Sequence, residues 1–143
     1  MTSDDVELSP TPWVRDQTEQ VLATGTTASL TGPAPVVLLT VRGAKSGKLR
    51  YQLVIRVEKD GVYVVVASLG GSDRNPAWFH NIKAHPEVQL QDGTETKTYR
   101  AREVVGEEKT PWWDLAVATF PNYGEYQTKT ERQIPVFVLE PIG

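Results

Sequence analysis

Between residues 42 and 50 the chain reads Arg42-Gly43-Ala44-Lys45-Ser46-Gly47-Lys48-Leu49-Arg50, with four cations, two glycines and a hydroxyl. From Gln20 to Val57 there is no Asp or Glu, and Arg56 raises the positive charges of that span to five. The whole chain holds 18 acidic and 15 basic residues and is net -3, so the span runs against its surroundings. Exposed backbone N–H groups and mobile ammonium or guanidinium groups suit the oxygens of a phosphate or carboxylate. An anion-binding turn is the functional reading; a solvated hairpin tip whose lysines keep an edge soluble is the plain one. The turn is not a Walker A motif, which needs a glycine five residues before its Gly-Lys-Ser/Thr and a helix after it.

Other chemistries find less support. His80 and His85 are poorly spaced as a metal pair, His-Glu-x-x-His is absent, and no metal site is expected. Leu69 to Ser72 contains serine and glycine without Gly-x-Ser-x-Gly, so no hydrolase elbow is recognisable. The absence of cysteine excludes disulfides and thiolate chemistry. What remains is the basic turn, a small-residue loop at Ser68-Leu69-Gly70-Gly71, and aromatics towards the C-terminus. Such a set suits a large planar cofactor with an anionic tail: small groups approach the ring, aromatics cover it, and cations hold the tail. The plain alternative makes Trp78, Phe79, Trp112 and Trp113 core or interface residues. It is preferred for Phe79 and Trp112, while Trp78 and Tyr126 stay open.

The elements that must position these groups are mostly strands. Val36 to Arg42, Arg50 to Glu58 and Val62 to Ser68 carry strand patterns, and Asp60-Gly61 marks a tight hairpin between the last two. The 62–67 run is apolar on both faces, which predicts a homodimer or an equally extensive cover of helices. Val88 to Gln91 alternates as a half-buried strand, Asp92-Gly93 turns, Thr94 to Val105 returns, and Ile134 to Leu139 closes the chain with Pro135 at its start or on an edge. Helices are predicted from Thr11-Pro12 through Leu22, from Asn75-Pro76 to Ala84, and from Thr110-Pro111. Residues 24–35 read as a loop, and Phe120 to Tyr126 as an aromatic loop or short helical turn. With 143 residues and no internal repeat, this makes a flexible lead over 1–12 and a single domain over 13–143. The fold class is β-rich α+β, a small barrel of about six mainly antiparallel strands with three short helices outside. A sequence pI near 5.4 argues against nucleic acid as a partner. The N-terminus lacks the pattern of a secretory signal, and no segment has the apolar length of a transmembrane span.

The chain resembles the deazaflavin-dependent nitroreductase family of actinobacteria, which uses coenzyme F420 on the split β-barrel fold. The likeness covers about Val36 to Pro141 and rests on Thr40 to Arg50, Ala67-Ser68-Leu69-Gly70-Gly71, Asn75-Pro76-Ala77-Trp78-Phe79-His80-Asn81 and Pro121-Asn122-Tyr123-Gly124-Glu125-Tyr126, with Ile134-Pro135-Val136 near the end. The resemblance implies that Lys45, Ser46 and Arg50, with Lys48 as a weaker match, hold the cofactor's phosphate and acidic tail. It implies that Ala67, Ser68, Gly70 and Gly71 line the deazaflavin, that Trp78 and Asn81 close part of the pocket, and that Tyr123 and Tyr126 border the acceptor. Two departures matter: Leu69 stands where a relative has lysine, and Phe120 where a tyrosine can occur. The implied reaction passes a hydride from reduced coenzyme F420 to an electron-poor acceptor, with Ser68, Tyr123 or Tyr126 as hydrogen-bond donors. A flavin-mononucleotide oxidoreductase on the same fold and a non-catalytic binder of the deazaflavin remain the alternatives. The implied location is the cytoplasm, at the membrane surface if the acceptor is a quinone.

Overall fold

Runs of β-branched and aliphatic residues bounded by Gly, Asp and Pro set the strand content of this chain. The structure, a computed structural model, describes residues 6–7, 12–30 and 35–142. Most of the expected lead, the Thr11 cap, and the side chains of Trp13 and Val14 lie outside the described residues. In chain order the elements are β1 (Val6–Glu7), α1 (Pro12–Thr24), β2 (Val36–Arg42), β3 (Leu49–Ile55), β4 (Glu58–Lys59), β5 (Val62–Val66), α2 (Ala77–Ala84), β6 (Glu87–Asp92), β7 (Glu95–Val104), α3 (Gly106–Thr119), α4 (Asn122–Thr128) and β8 (Val136–Pro141). Single 3-10 turns lie at Thr27–Ser29 and Leu69–Gly71.

The strands form one sheet in the order β1-β3-β2-β6-β7-β8-β5-β4. Its pairings are antiparallel except for β1 with β3, where Val6 and Glu7 lie opposite Leu49 and Arg50. Leu39 and Val41 of β2 share one buried core with Val65 of β5, although three strands separate β2 from β5 in the sheet. A flat sheet could not bring those side chains together, so the sheet is curled into the split barrel that the resemblance implies. The base of the curl is pinned from both sides. Tyr63 Oη and Arg56 Nε both donate to Asp92 Oδ2, at 2.5 and 2.9 Å.

β5 explains why its sequence is apolar on both faces. Tyr63 and Val65 point into the barrel, while Val64 and Val66 join a second, outer core with Ala116 of α3 and Tyr123 of α4. The helical cover therefore supplies burial on the second face within a single chain.

Several boundaries differ from expectation, and the two-residue strands β1 and β4 bring the described strands to eight where about six were expected. β3 ends at Ile55, because Arg56 turns to Asp92 and Val57 enters the outer core. The third expected strand stops at Val66, and the last begins at Val136 rather than Ile134. α3 starts at Gly106 instead of Thr110-Pro111, with Glu107 and Glu108 favourably placed in its first turn. Pro111 thus sits inside the helix, where it cannot donate to the Glu107 carbonyl. The aromatic stretch after Phe120 becomes a fourth helix, α4, where three helices were expected.

Candidate active site

The basic turn is a closed loop between β2 and β3. Gly43 N–H donates to the Lys48 carbonyl at 2.8 Å, and Gly47 N–H to the Gly43 carbonyl at 3.0 Å. Gly47 has φ +72°, which favours glycine there. Arg42 Nη1 donates to the Gly47 carbonyl at 2.6 Å, and Lys48 N–H to Ser46 Oγ at 3.1 Å. The buried Gly43 is the pivot: a Cβ there would fall 2.7 Å from Ser46 Oγ and 3.4 Å from Arg50 Nε. Lacking a side chain, it lets the serine and arginine fold in over the same turn. Lys45, Ser46 and Lys48 are exposed, and Arg50 is half-buried. Arg56, the fifth cation of the acid-free span, is engaged by Asp92 at the base of the barrel. The other four cations of that span all lie in or directly beside the turn.

The second loop follows β5. Ala67 and Ser68 are buried; Leu69 is 50% exposed at φ +43°, an unusual conformation for a bulky side chain; and Gly71 follows at φ +88°. A Cβ on Gly71 would meet the Tyr126 carbonyl oxygen at 2.9 Å and Lys129 Cβ at 3.1 Å, so this glycine lets the loop lie directly on α4. Arg132 holds the loop. Its Nη2 donates to the carbonyls of Ala67 and Ser68 at 3.1 and 2.9 Å, its Nε to the Ser72 carbonyl at 2.8 Å, and its Nη1 to Asn75 Oδ1 at 2.9 Å. Thr130 Oγ1 adds a bond to Asp73 Oδ1 at 2.9 Å.

α2 links the two loops. It begins just after the second loop, and its buried Asn81 accepts from Ala44 N–H of the first at 2.9 Å through Oδ1. Trp78, one turn earlier, is buried in the barrel core, edge-on to Phe137 at 6.2 Å. Asn81 thus orients the basic turn, and Trp78 anchors the helix that carries it.

α4 brings the two predicted tyrosines beside the second loop. Tyr123 is buried in the outer core against Phe120, with ring centroids 5.1 Å apart. Burial pushes its phenol well above the ordinary tyrosine range, so it stays protonated at neutral pH. Tyr126 is half-buried, and Lys129 Nζ stands 5.6 Å from its ring centroid.

The structure gathers most of the predicted residues into two groups: Lys45, Ser46, Lys48, Arg50 and Asn81 around one turn, and Ala67, Ser68, Gly70, Gly71 and Tyr126 around the other; Trp78 and Tyr123 instead lie in the inner and outer cores. Arg132 and Lys129 were not anticipated. Both are lone basic residues in a polar stretch, and Arg132 bonds mainly to main-chain carbonyls, which leave no pattern in sequence. The geometry suits a ligand with a planar body and an anionic extension. Two glycine-dependent cradles provide close backbone approach; cationic side chains form part of the first turn itself, whereas at the second Arg132 is engaged by main-chain carbonyls.

Comparison with known proteins bears on the family and the fold. The model of the F420H(2)-dependent quinone reductase family matches residues 13–141. An F420H(2)-dependent quinone reductase of Mycobacterium tuberculosis is 34% identical over 111 residues, covering 76% of this chain and 74% of that protein. A solved structure described as an F420-H2 dependent reductase is 53% identical with a TM-score of 0.71, covering 74% of this chain and 94% of the other. A second, described as a domain-swapped dimer, is 52% identical with a TM-score of 0.73, covering 92% of this chain and 100% of the other.

Proposed function

Because this chain belongs to the F420H(2)-dependent quinone reductase family, we propose that its two loops and α4 form the site where a hydride passes from reduced coenzyme F420 to an electron-poor acceptor, with a quinone as the leading case. The observation that carries the reading is the convergence of Ser46 and Arg50 over buried Gly43, in a turn tied by Ala44 to Asn81 of α2. When bound, the coenzyme supplies a two-electron hydride donor.

The chain's own residues bind and orient. Lys45, Ser46 and Arg50 hold the phosphate and acidic tail, with Lys48 at the rim, where its exposure makes it the weakest contributor. Ser68, Gly70 and Gly71 form a low wall on which a flat ring can lie, with Ala67 buried in the core beneath them, and Trp78 and Asn81 set the position of α2 behind it. A quinone gains the hydride and one proton, leaving the coenzyme oxidised and the product a hydroquinone. Negative charge grows on the quinone oxygen during transfer, and a hydroxyl from Ser68 or Tyr126 stabilises it. Tyr123, buried beneath, supports Tyr126 rather than supplying the proton, which comes from water.

The domain over 13–143 carries this site. A homodimer is the assembly to test first, since a structure 52% identical to this chain is described as a domain-swapped dimer. No helix among the described residues is long and apolar enough to cross a membrane. A quinone acceptor would draw the protein from the cytoplasm to the membrane surface. The function is tested by titrating the protein with coenzyme F420 and, separately, with flavin mononucleotide. Single-turnover oxidation of the reduced complex by quinones, nitroarenes and enones then follows. Tight binding of the deazaflavin with rapid oxidation by a quinone is expected. Preference for flavin mononucleotide, or binding without oxidation by any acceptor, would overturn the proposal.

A further inference from the structure

We propose that Arg132 is a positioning residue for this reaction: one guanidinium holds the Ser68 loop in the shape the ring requires and couples it to the tyrosine-bearing helix. The inference rests on the functional reading above. Arg132 occupies a half-buried position and directs four hydrogen bonds onto the 67–75 segment, three of them to main-chain carbonyls. Those carbonyls belong to Ala67, Ser68 and Ser72, so the grip spans both ends of the Leu69–Gly71 turn. Inside the turn, Gly71 N–H donates to the Ser68 carbonyl at 3.0 Å and Ser72 N–H to the Leu69 carbonyl at 3.1 Å. Two short backbone bonds would be a weak restraint for a segment that holds Leu69 at positive φ. The guanidinium supplies the rest.

The other end of Arg132 is equally constrained. Gln127 of α4 donates from Nε2 to the Arg132 carbonyl at 2.7 Å and accepts from Ile134 N–H at 3.0 Å. Gly71 meets the Tyr126 carbonyl on the same helix. Arg132 is thus fastened to α4 through its backbone and to the Ser68 loop through its side chain. Displacement of either alters the spacing between Ser68 and Tyr126, the two groups assigned to the acceptor. Burial lowers the pKa of the guanidinium from its ordinary value while Asp73 opposes the shift, and an arginine remains charged throughout.

Lysine cannot reproduce this grip, because one ammonium lacks the planar fork that reaches all four acceptors. Arg132→Lys is tested first without cofactor, by amide hydrogen exchange. Exchange at Gly71 and Ser72 is expected to accelerate about tenfold or more while Val64 and Val65 of the barrel are unchanged. With cofactor, the dissociation constant for coenzyme F420 should rise about tenfold and kcat should fall, at a temperature where the variant is fully folded. Asn75→Ala removes one acceptor and leaves Arg132 in place; it should shift the same quantities in the same direction by about two- to fivefold. This second variant decides the matter if Arg132→Lys does not fold. Faster exchange throughout the barrel would make Arg132 a general stability residue and overturn the proposal. So would locally faster exchange with wild-type affinity and kcat. A wild-type protein that binds no deazaflavin would instead overturn the functional reading, whereas a wild type that binds and turns over beside an equally active Arg132→Lys overturns only the role of Arg132.

Discussion

Gly43→Ala separates the proposed anion site from the fold. The residue is buried and its φ is not positive, so alanine meets no backbone penalty there. The new Cβ would lie 2.7 Å from Ser46 Oγ, 3.3 Å from the Lys48 carbonyl oxygen and 3.4 Å from Arg50 Nε. The backbone contact is tight but tolerable after a shift of a few tenths of an ångström; the serine contact is not. Ser46 must rotate and give up its bond from Lys48 N–H, whereas Arg50 Nε would be in ordinary van der Waals contact and can stay in place. Losing a neutral hydrogen bond costs about 0.5–1.5 kcal/mol. Replacing glycine by alanine returns about 0.4–1 kcal/mol through the unfolded chain. Apo stability should therefore change by less than about 1 kcal/mol, a shift of no more than about 4 °C in Tm for a domain of this size. Binding should suffer more. A hydrogen bond to a charged group contributes about 1.5–3 kcal/mol, so loss of the Ser46 contact alone predicts roughly ten- to a hundredfold weaker affinity for the intact coenzyme. Calorimetric titration with intact coenzyme F420 and with a deazaflavin lacking the phosphate and acidic tail gives the comparison. The fragment should bind wild type and variant alike. Equal losses for both ligands, or an unchanged affinity for the intact coenzyme, would refute the assignment of this turn to the tail.

Three further outcomes follow from the same geometry. Lys45→Ala should weaken binding of intact coenzyme by about tenfold, the lower end of the charged range because Lys45 is exposed, with a smaller loss at high salt; calorimetry at two ionic strengths measures it. Tyr126→Phe should leave coenzyme affinity unchanged and lower kcat about two- to tenfold, as expected for one neutral hydrogen bond formed in the transition state; stopped-flow turnover with several quinones is the check. Tyr123 has a folded-state pKa raised by burial, so its contribution to stability is complete below the ordinary value of 10.0 and is lost as pH rises above it. Tyr123→Phe should therefore flatten the alkaline fall of unfolding free energy, by up to about 1.4 kcal/mol per pH unit, in denaturant titrations above pH 10.

Much of the barrel was legible because each long strand carries its own local signal. Val36 to Val41 and Val62 to Val66 are runs dominated by β-branched residues, and the Asp60-Gly61 turn has positive φ at both residues. The helices were harder. Thr110-Pro111 resembles a helix start, yet the acidic first turn after Gly106 begins α3 a turn earlier. α4 contains Gly124 and follows Pro121, so its local propensity is poor; burial of Tyr123 under α3 makes it helical nonetheless. At the site, the basic turn stood out by charge against an acidic chain. The brace behind the second loop did not, because the partners of Arg132 are mostly carbonyls that every residue possesses. Side-chain chemistry is visible in sequence, whereas main-chain chemistry becomes visible only when the fold brings it together.

That contrast also indicates where acceptor preference can change. In the proposed reading the basic turn recognises its ligand through side chains, so most substitutions in it alter the ligand contacts directly. The second loop presents backbone, and its shape is imposed from outside by Arg132 and by the seating of Gly71 on α4. Leu69 lies between those restraints, half-exposed and at positive φ, a conformation its own side chain disfavours. Its neighbours therefore hold Leu69 where it is, and its side chain projects without supporting the loop. Changing the residue there alters the chemistry of the wall beside the acceptor while Ser68, Gly71 and the restraints on them stay in place. Under the proposed function, position 69 is thus where this scaffold can vary its acceptor while Ser68 and Gly71 stay in place, and leucine makes that wall apolar.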